Sequence, residues 1–289
     1  MSTTGIAQDT AALMSSVLGG ILYGFSVLMF IGTIWTFTYK RRIRDVRRPI
    51  AVIATLMFLL STVHMVVCII HVEDGLVKYR DSFPGGPVAF FTDVSQPTFV
   101  ANNVIYTLQT LLGDGVVIYR CYVVWQSGWV IILPCMMWCG VAVFGVCSVY
   151  SFSQTSATIS NVETLFTNKT GHLIATFLAF TLATNVLSTG LLACRIWMIE
   201  RKISTVRATK GKIIPILRVL IDAAILYSAA LCSSIICLAL SNGGLYVMGD
   251  LIIPTISIAF YMVFIRIALN QNNQDYASAG TTEIERSTD

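Results

Sequence analysis

Residues Leu111 to Trp125 read LLGDGVVIYRCYVVW: an apolar run with an aspartate, Asp114, set inside it and an arginine, Arg120, among tyrosines at its end. Apolar runs recur along the chain, which is 55% hydrophobic and only 12% charged over 289 residues. Soluble domains carry about 25% charged residues, so this composition argues against a water-soluble fold. A bilayer core needs about 20 apolar residues per helix, and the stretches at about 16–38, 49–71, 99–121, 129–151, 171–195, 215–240 and 249–269 supply them. The expectation is an all-α fold, a seven-transmembrane helix bundle over 16–269. A short segment, 1–15, precedes it, and a polar tail, 270–289, is expected to be disordered.

Basic residues orient such a bundle, because loops rich in Lys and Arg stay cytoplasmic. YKRRIRDVRRP after the first span holds six, and RIWMIERKISTVRATKGKIIPILR after the fifth holds seven. The opposite loops hold Lys78, Arg80 and Lys169. The N-terminus is therefore predicted outside and the C-terminus in the cytoplasm. Trp35, Trp125, Trp129 and Trp197 fall at the proposed cytoplasmic edge, where amphipathic rings settle. The sequon Asn168-Lys169-Thr170 falls outside and makes Asn168 a candidate for N-glycosylation. The first fifteen residues lack a basic residue, so the first helix is expected to act as its own uncleaved targeting signal. The net charge of +4 is an orientation signal, and no nucleic-acid partner is expected. The partners implied are the lipid bilayer, a small apolar ligand and a cytoplasmic protein on the basic loops 40–48 and 200–212. The location is the plasma membrane or the endoplasmic reticulum.

Charge inside an apolar span is costly and normally faces a partner or a cavity. On the third span Asn103, Thr107, Thr110 and Asp114 are spaced 4, 3 and 4, which places them on one helical face. The fifth span carries Thr181, Thr184, Asn185 and Ser188, and the sixth carries Arg218, Asp222, Ala229 and Ser233. These stripes predict an inner polar network of Asp114, Arg120, Asn185, Arg218 and Asp222. It could fix helix register, act as a switch, or handle a proton or ion.

The eight cysteines lie in or beside the spans and read as small apolar residues, with no extracellular disulfide framework. His64 and His71 are seven apart and His172 begins the fifth span, which matches no compact ligand motif. No metal and no cofactor are expected. Pro49 and Pro215 suit first turns, whereas Pro134 and Pro254 sit deeper in their spans. Gly20 and Gly24 have the spacing of close helix packing. The loop from Val72 to Thr98 is the longest and is expected to fold over the bundle, with FPGGP as a turn rather than a helix.

LGDGVVIYRCYVVWQSGWVIILP together with IPTISIAFYMVFIRIAL resembles a group of seven-span membrane proteins expanded in mushroom-forming basidiomycete fungi. The resemblance covers nearly the whole membrane domain and rests on Gly113-Asp114, Tyr119-Arg120-Cys121-Tyr122, Trp125 and Arg266. It implies a fungal membrane protein and brings no established activity. The architecture also loosely resembles that of G-protein-coupled receptors, with an arginine beside a tyrosine at the inner end of the third helix. Here Tyr119 stands where those receptors carry an acid, and Pro254 and Tyr261 lack the Asn-Pro-x-x-Tyr spacing. A retinal Schiff base needs a lysine within the bundle; every lysine here lies in a loop or at an edge.

The leading function on these grounds is a receptor-like sensor of a small ligand. The alternative is an integral membrane enzyme or accessory protein of a fungal terpenoid or lipid pathway, for example a cyclase. Asp114 and Asp222 would then be the catalytic acids. A transporter is a third class, without the repeated half-units that such folds show.

Overall fold

The chain's long apolar segments fold as helices, because a helix is the arrangement that satisfies every backbone amide within one segment. The computed structural model describes residues 8–38, 44–80, 83, 86–93, 95–154, 169–204, 214–240, 245 and 247–266. Among these the helices are α1 (Gln8–Thr38), α2 (Arg44–Glu73), α3 (Gly86–Thr92), α4 (Pro97–Trp125), α5 (Gly128–Gln154), α6 (Lys169–Ser204), α7 (Ile214–Ala239) and α8 (Val247–Arg266). No strand occurs among the described residues. Asn168, the basic loop residues 205–213 and the tail beyond Arg266 lie outside them.

Six of these helices are long and apolar enough to cross a membrane: α1, α2, α5, α6, α7 and α8. Their outward faces carry large apolar side chains such as Leu28, Val143, Val146 and Ile225, each more than half exposed. Surfaces of that kind belong in lipid, and the chain has the make-up of an integral multi-pass membrane protein. Helices α1–α2, α2–α4, α4–α5, α4–α6, α5–α6 and α6–α7 pack in pairs.

α4 has the length of a span and is not among those six, and its position explains why. It lies against α2 through Asn102 and Cys68, and against α8 through Gln109 and Ser257. Trp138 of α5 donates to its Leu111 carbonyl at 3.0 Å, and the ring of Tyr106 meets Phe177 of α6 at 5.7 Å. A helix surrounded by protein can exchange apolar residues for polar ones, because its neighbours supply the partners. Close approach is built in at Gly145 of α5, where a Cβ would sit 2.5 Å from Thr107 Cγ2.

α8 is the other central element: 61% of its span is buried, against 17% for α1. Tyr261, Phe264, Ile252, Ile253 and Ile256 are almost completely enclosed. Pro254 and Pro134 are accommodated inside α8 and α5, and Pro215 sits in the first turn of α7. Pro49 lies further in than expected, because α2 starts at Arg44.

We call the end of the bundle where α1 begins the upper end. The segment between α2 and α4 covers it and is more helical than the sequence suggested. A π-helical turn at Asp74–Lys78 continues α2, and α3 starts at Gly86. The Gly86 amide donates to the Phe83 carbonyl at 3.0 Å with φ +72°, so a turn leads directly into the short helix. Glycine is suited to that left-handed position. Phe90 and Phe91 are buried against Ala12 of α1, and both rings lie 5.4 Å from that of His71. A Cβ on Gly75 would meet Phe91 at 2.4 Å and Phe90 at 2.8 Å. Gly75→Ala is therefore expected to unseat these rings at a cost of about 1–3 kcal/mol. Hydrogen exchange at residues 86–92 would then speed up relative to α8, and unchanged exchange would refute the tight seat.

Candidate functional site

Two polar centres lie inside the bundle. The first surrounds Asp114. Thr107, Thr110 and Asp114 are all buried, with Asp114 3% exposed. Asn103, on the same stripe, is partly buried and donates to the Phe99 carbonyl at 2.9 Å. Tyr106 and Tyr227 bring hydroxyls beside Thr110 and into the field of Asp114. Thr110 Oγ1, Tyr106 OH, Tyr227 OH and Asp114 Oδ2 are enclosed without meeting hydrogen-bond geometry among the described residues. One turn of α7 links this centre to α6, where Asn185 Nδ2 donates to Ser228 Oγ at 3.0 Å. Thr181, Thr184, Asn185 and Ser188 of α6 are all buried.

The predicted network does not hold together as one group. Arg218 and Asp222 are exposed and form no ion pair with each other among the described residues. At about 100° per residue, they lie nearly opposite the face of α7 that carries Leu220, Ala223, Tyr227, Leu231, Ser234 and Leu238. That second face is buried. Large side chains decided which face turned inward. At the start of the span the long stem of Arg218 can carry its charge to the headgroup region, and Asp222 lies one turn further in on the same face. Asp222→Ala is accordingly expected to shift stability by no more than about 0.5 kcal/mol, measured by unfolding in micelles. A larger loss would place Asp222 in the core after all.

Arg120 also has its own partner. Its guanidinium carbon lies 4.7 Å from the centre of the Phe264 ring on α8. Such a contact is worth about 0.5–2 kcal/mol, depending on desolvation. Nearby, Trp125 Nε1 donates to the Leu191 carbonyl at 3.1 Å, and Arg195 lies 5.0 Å over the Trp125 ring. The lower ends of α4, α6 and α8 are thus joined by aromatic and cationic groups.

The second centre, at the upper end, was not expected. His64 does not pair with His71; its partners are Cys68, one turn along α2, and Asp250, in the first turn of α8. His64 Nε2 lies 3.6 Å from Asp250 Oδ1 and 3.5 Å from Cys68 Sγ, and Cys68 Sγ lies 3.7 Å from the same Asp250 oxygen. Asn102 Nδ2 donates to Cys68 Sγ at 3.3 Å, and Ser15 Oγ donates to Asp250 Oδ2. Cys68 is therefore part of a polar cluster and not a small apolar filler. His71 instead pairs through Nδ1 with Thr98 Oγ1 at 2.6 Å. One signal was present in the sequence: His64-x-x-x-Cys68 places two ligand-type side chains on one helix face. The third, Asp250, is brought there only by tertiary packing.

The helices and these two centres define a helical membrane protein with one polar site at its upper end and another at mid-bundle. No protein-family model, no curated protein and no solved structure matches the chain.

Proposed function

We propose that the chain is a seven-helix membrane protein that acts as a receptor-like sensor. In this reading α4 is the seventh crossing helix, the N-terminus is outside, and the upper cluster faces the exterior beneath α3. Support for this orientation comes from the basic residues between α1 and α2 and after α6; Trp35, Trp129 and Trp197, exposed at the lower ends of α1, α5 and α6, mark a membrane interface at that level. The resemblance to the seven-span fungal group belongs to the same proposal. Residues that carry it make interhelical contacts: a Cβ on Gly113 would lie 3.0 Å from Phe260, and Arg120 stacks on Phe264.

One observation carries the sensor reading. α8 holds Asp250 of the upper cluster at one end and Phe264, the platform for Arg120, at the other. Those residues are about 21 Å apart along a helix rising 1.5 Å per residue. Between them Ser257 meets Gln109 and Phe260 meets Gly113. A shift of α8 that follows a change at Asp250 would reach the arginine at the cytoplasmic end, where the basic loops could take up a protein partner. The test compares hydrogen exchange at residues 118–125 and 260–266 in the wild type and in Asp250→Asn, using the full chain in lipid discs. The sensor reading expects a several-fold change at those lower segments. A change confined to the upper end would remove it.

The enzyme reading is second. It is favoured by the enclosed oxygens around Asp114, which could form an acid site. The two proposed acids do not converge, since Asp222 lies on the outward face of α7. Incubating membranes with polyprenylated substrates tests it; turnover that Asp114→Asn abolishes would replace the sensor reading.

A further inference from the structure

We propose that His64, Cys68 and Asp250 form a binding site for a zinc-class divalent cation. Tetrahedral zinc takes sulfur at about 2.3 Å, imidazole nitrogen at about 2.0–2.1 Å and carboxylate oxygen at about 2.0–2.2 Å. Those bond lengths require ligand-to-ligand edges of about 3.4–3.6 Å in a tetrahedron. The edges here are 3.5 Å for nitrogen to sulfur, 3.6 Å for nitrogen to oxygen and 3.7 Å for sulfur to oxygen. The three donor atoms therefore already stand at the edge lengths of a coordination sphere, and because Cys68 Sγ also lies 3.9 Å from His64 Nδ1, loading requires the imidazole or the thiol to turn so that Nε2 and the sulfur face one ion.

The surroundings suit that role. Ligating groups are usually held by outer hydrogen bonds. Asn102 aims its amide at the Cys68 sulfur, and Ser15 takes Oδ2 of Asp250, leaving Oδ1 directed at His64 and Cys68. Asp250 lies in the first turn of α8, where the helix dipole favours an anion. Pro254 has no N–H to give the Asp250 carbonyl, which keeps this turn's backbone oxygen free of its helical partner. A cavity of about 10 Å³ adjoins the three ligands and is lined by Ser15, Tyr23, Ser61, Met65 and Pro254. It has room for about one water, which would complete four-coordination.

The donor set also selects the ion. A thiolate with an imidazole favours zinc over magnesium or calcium, which prefer all-oxygen shells. Coordination requires the Cys68 thiolate, so binding releases the thiol proton to solvent. The dication then offsets two anions in a region where uncompensated charge is costly. The site stands on this geometry, independently of the sensor reading.

The test uses the full chain purified in micelles, stripped with a chelator and titrated with zinc alone, with bound metal counted by mass spectrometry. The expected result is one zinc per chain at micromolar concentration, with little uptake of magnesium. His64→Ala, Cys68→Ser and Asp250→Asn should each weaken binding by 100-fold or more, and Asn102→Ala by about 10-fold. A wild-type measurement covers the case of variants that do not fold. Cobalt in place of zinc should give a thiolate-to-metal absorption band. No uptake by the wild type, no thiolate band with cobalt, or full uptake by folded His64→Ala and Cys68→Ser would overturn the proposal. Zinc uptake without altered exchange at residues 260–266 would keep the site and remove only the sensor reading.

Discussion

Tyr261→Ala is expected to lower the stability of the bundle by about 3–5 kcal/mol, the range for removing a buried aromatic ring. Tyr261 is 0% exposed, and its hydroxyl donates to the Ala54 carbonyl of α2 at 3.3 Å. Its ring lies 5.9 Å from Phe30 of α1, which in turn stacks on Phe58 of α2 at 4.3 Å. One side chain thus fastens α8 to both neighbouring helices. In lipid the apolar surroundings remain after unfolding, so the loss comes mainly from contacts that no neighbour can replace. Tyr261→Phe keeps the ring and removes only the hydrogen bond, for about 1 kcal/mol. Unfolding of the two variants in micelles separates the contributions. If Tyr261→Ala cost no more than Tyr261→Phe, the packing described for α8 would be wrong.

The helices were legible because their length is dictated by bilayer thickness, and an apolar run announces it. Six of the seven expected spans correspond to helices apolar enough to cross, and the expected third span is α4. The same runs concealed how each helix is rotated. On α4 the polar stripe turned inward because proteins lie on several sides of it. On α7, Arg218 and Asp222 looked equally inward by spacing, yet Leu220, Ala223, Tyr227 and Leu231 took the buried side. A polar residue near a span's end can reach water or headgroups, so its periodicity alone does not point to the core. The upper cluster was hidden for a different reason. His64 and Cys68 are one turn apart, but Asp250 is 182 residues beyond Cys68, and only the packing of α8 on α2 brings it near. The upper segment shows a third limit: FPGGP begins with a turn, yet its Gly86 and Pro87 already open α3, because Phe90 and Phe91 bury themselves against α1.

Asp114→Asn is expected to raise stability, and Asp114→Leu to lower it. No cation pairs with Asp114 among the described residues, and four oxygens crowd the site: its own Oδ2, Thr110 Oγ1 and the Tyr106 and Tyr227 hydroxyls. The hydroxyls could donate to a carboxylate, but a charge at membrane depth costs about 2.5–3.5 kcal/mol on insertion scales. Asparagine keeps the shape, removes any charge and adds two N–H donors for those hydroxyl oxygens. A gain of about 1–2 kcal/mol follows if it recovers part of that cost. Leucine instead removes the polar group that the three buried hydroxyls face and leaves them only one another, for a loss of about 1–3 kcal/mol. Unfolding midpoints in micelles measure both, and a clear loss of stability in Asp114→Asn would show that the carboxyl group is itself the paired centre. The variant also bears on signalling, because Asp114 lies between the upper cluster and Arg120 on α4. Higher stability with altered exchange at residues 118–125 would make the polar centre part of the path to the lower end. Higher stability with unchanged exchange would leave Asp114 a structural charge and confine the path to α8.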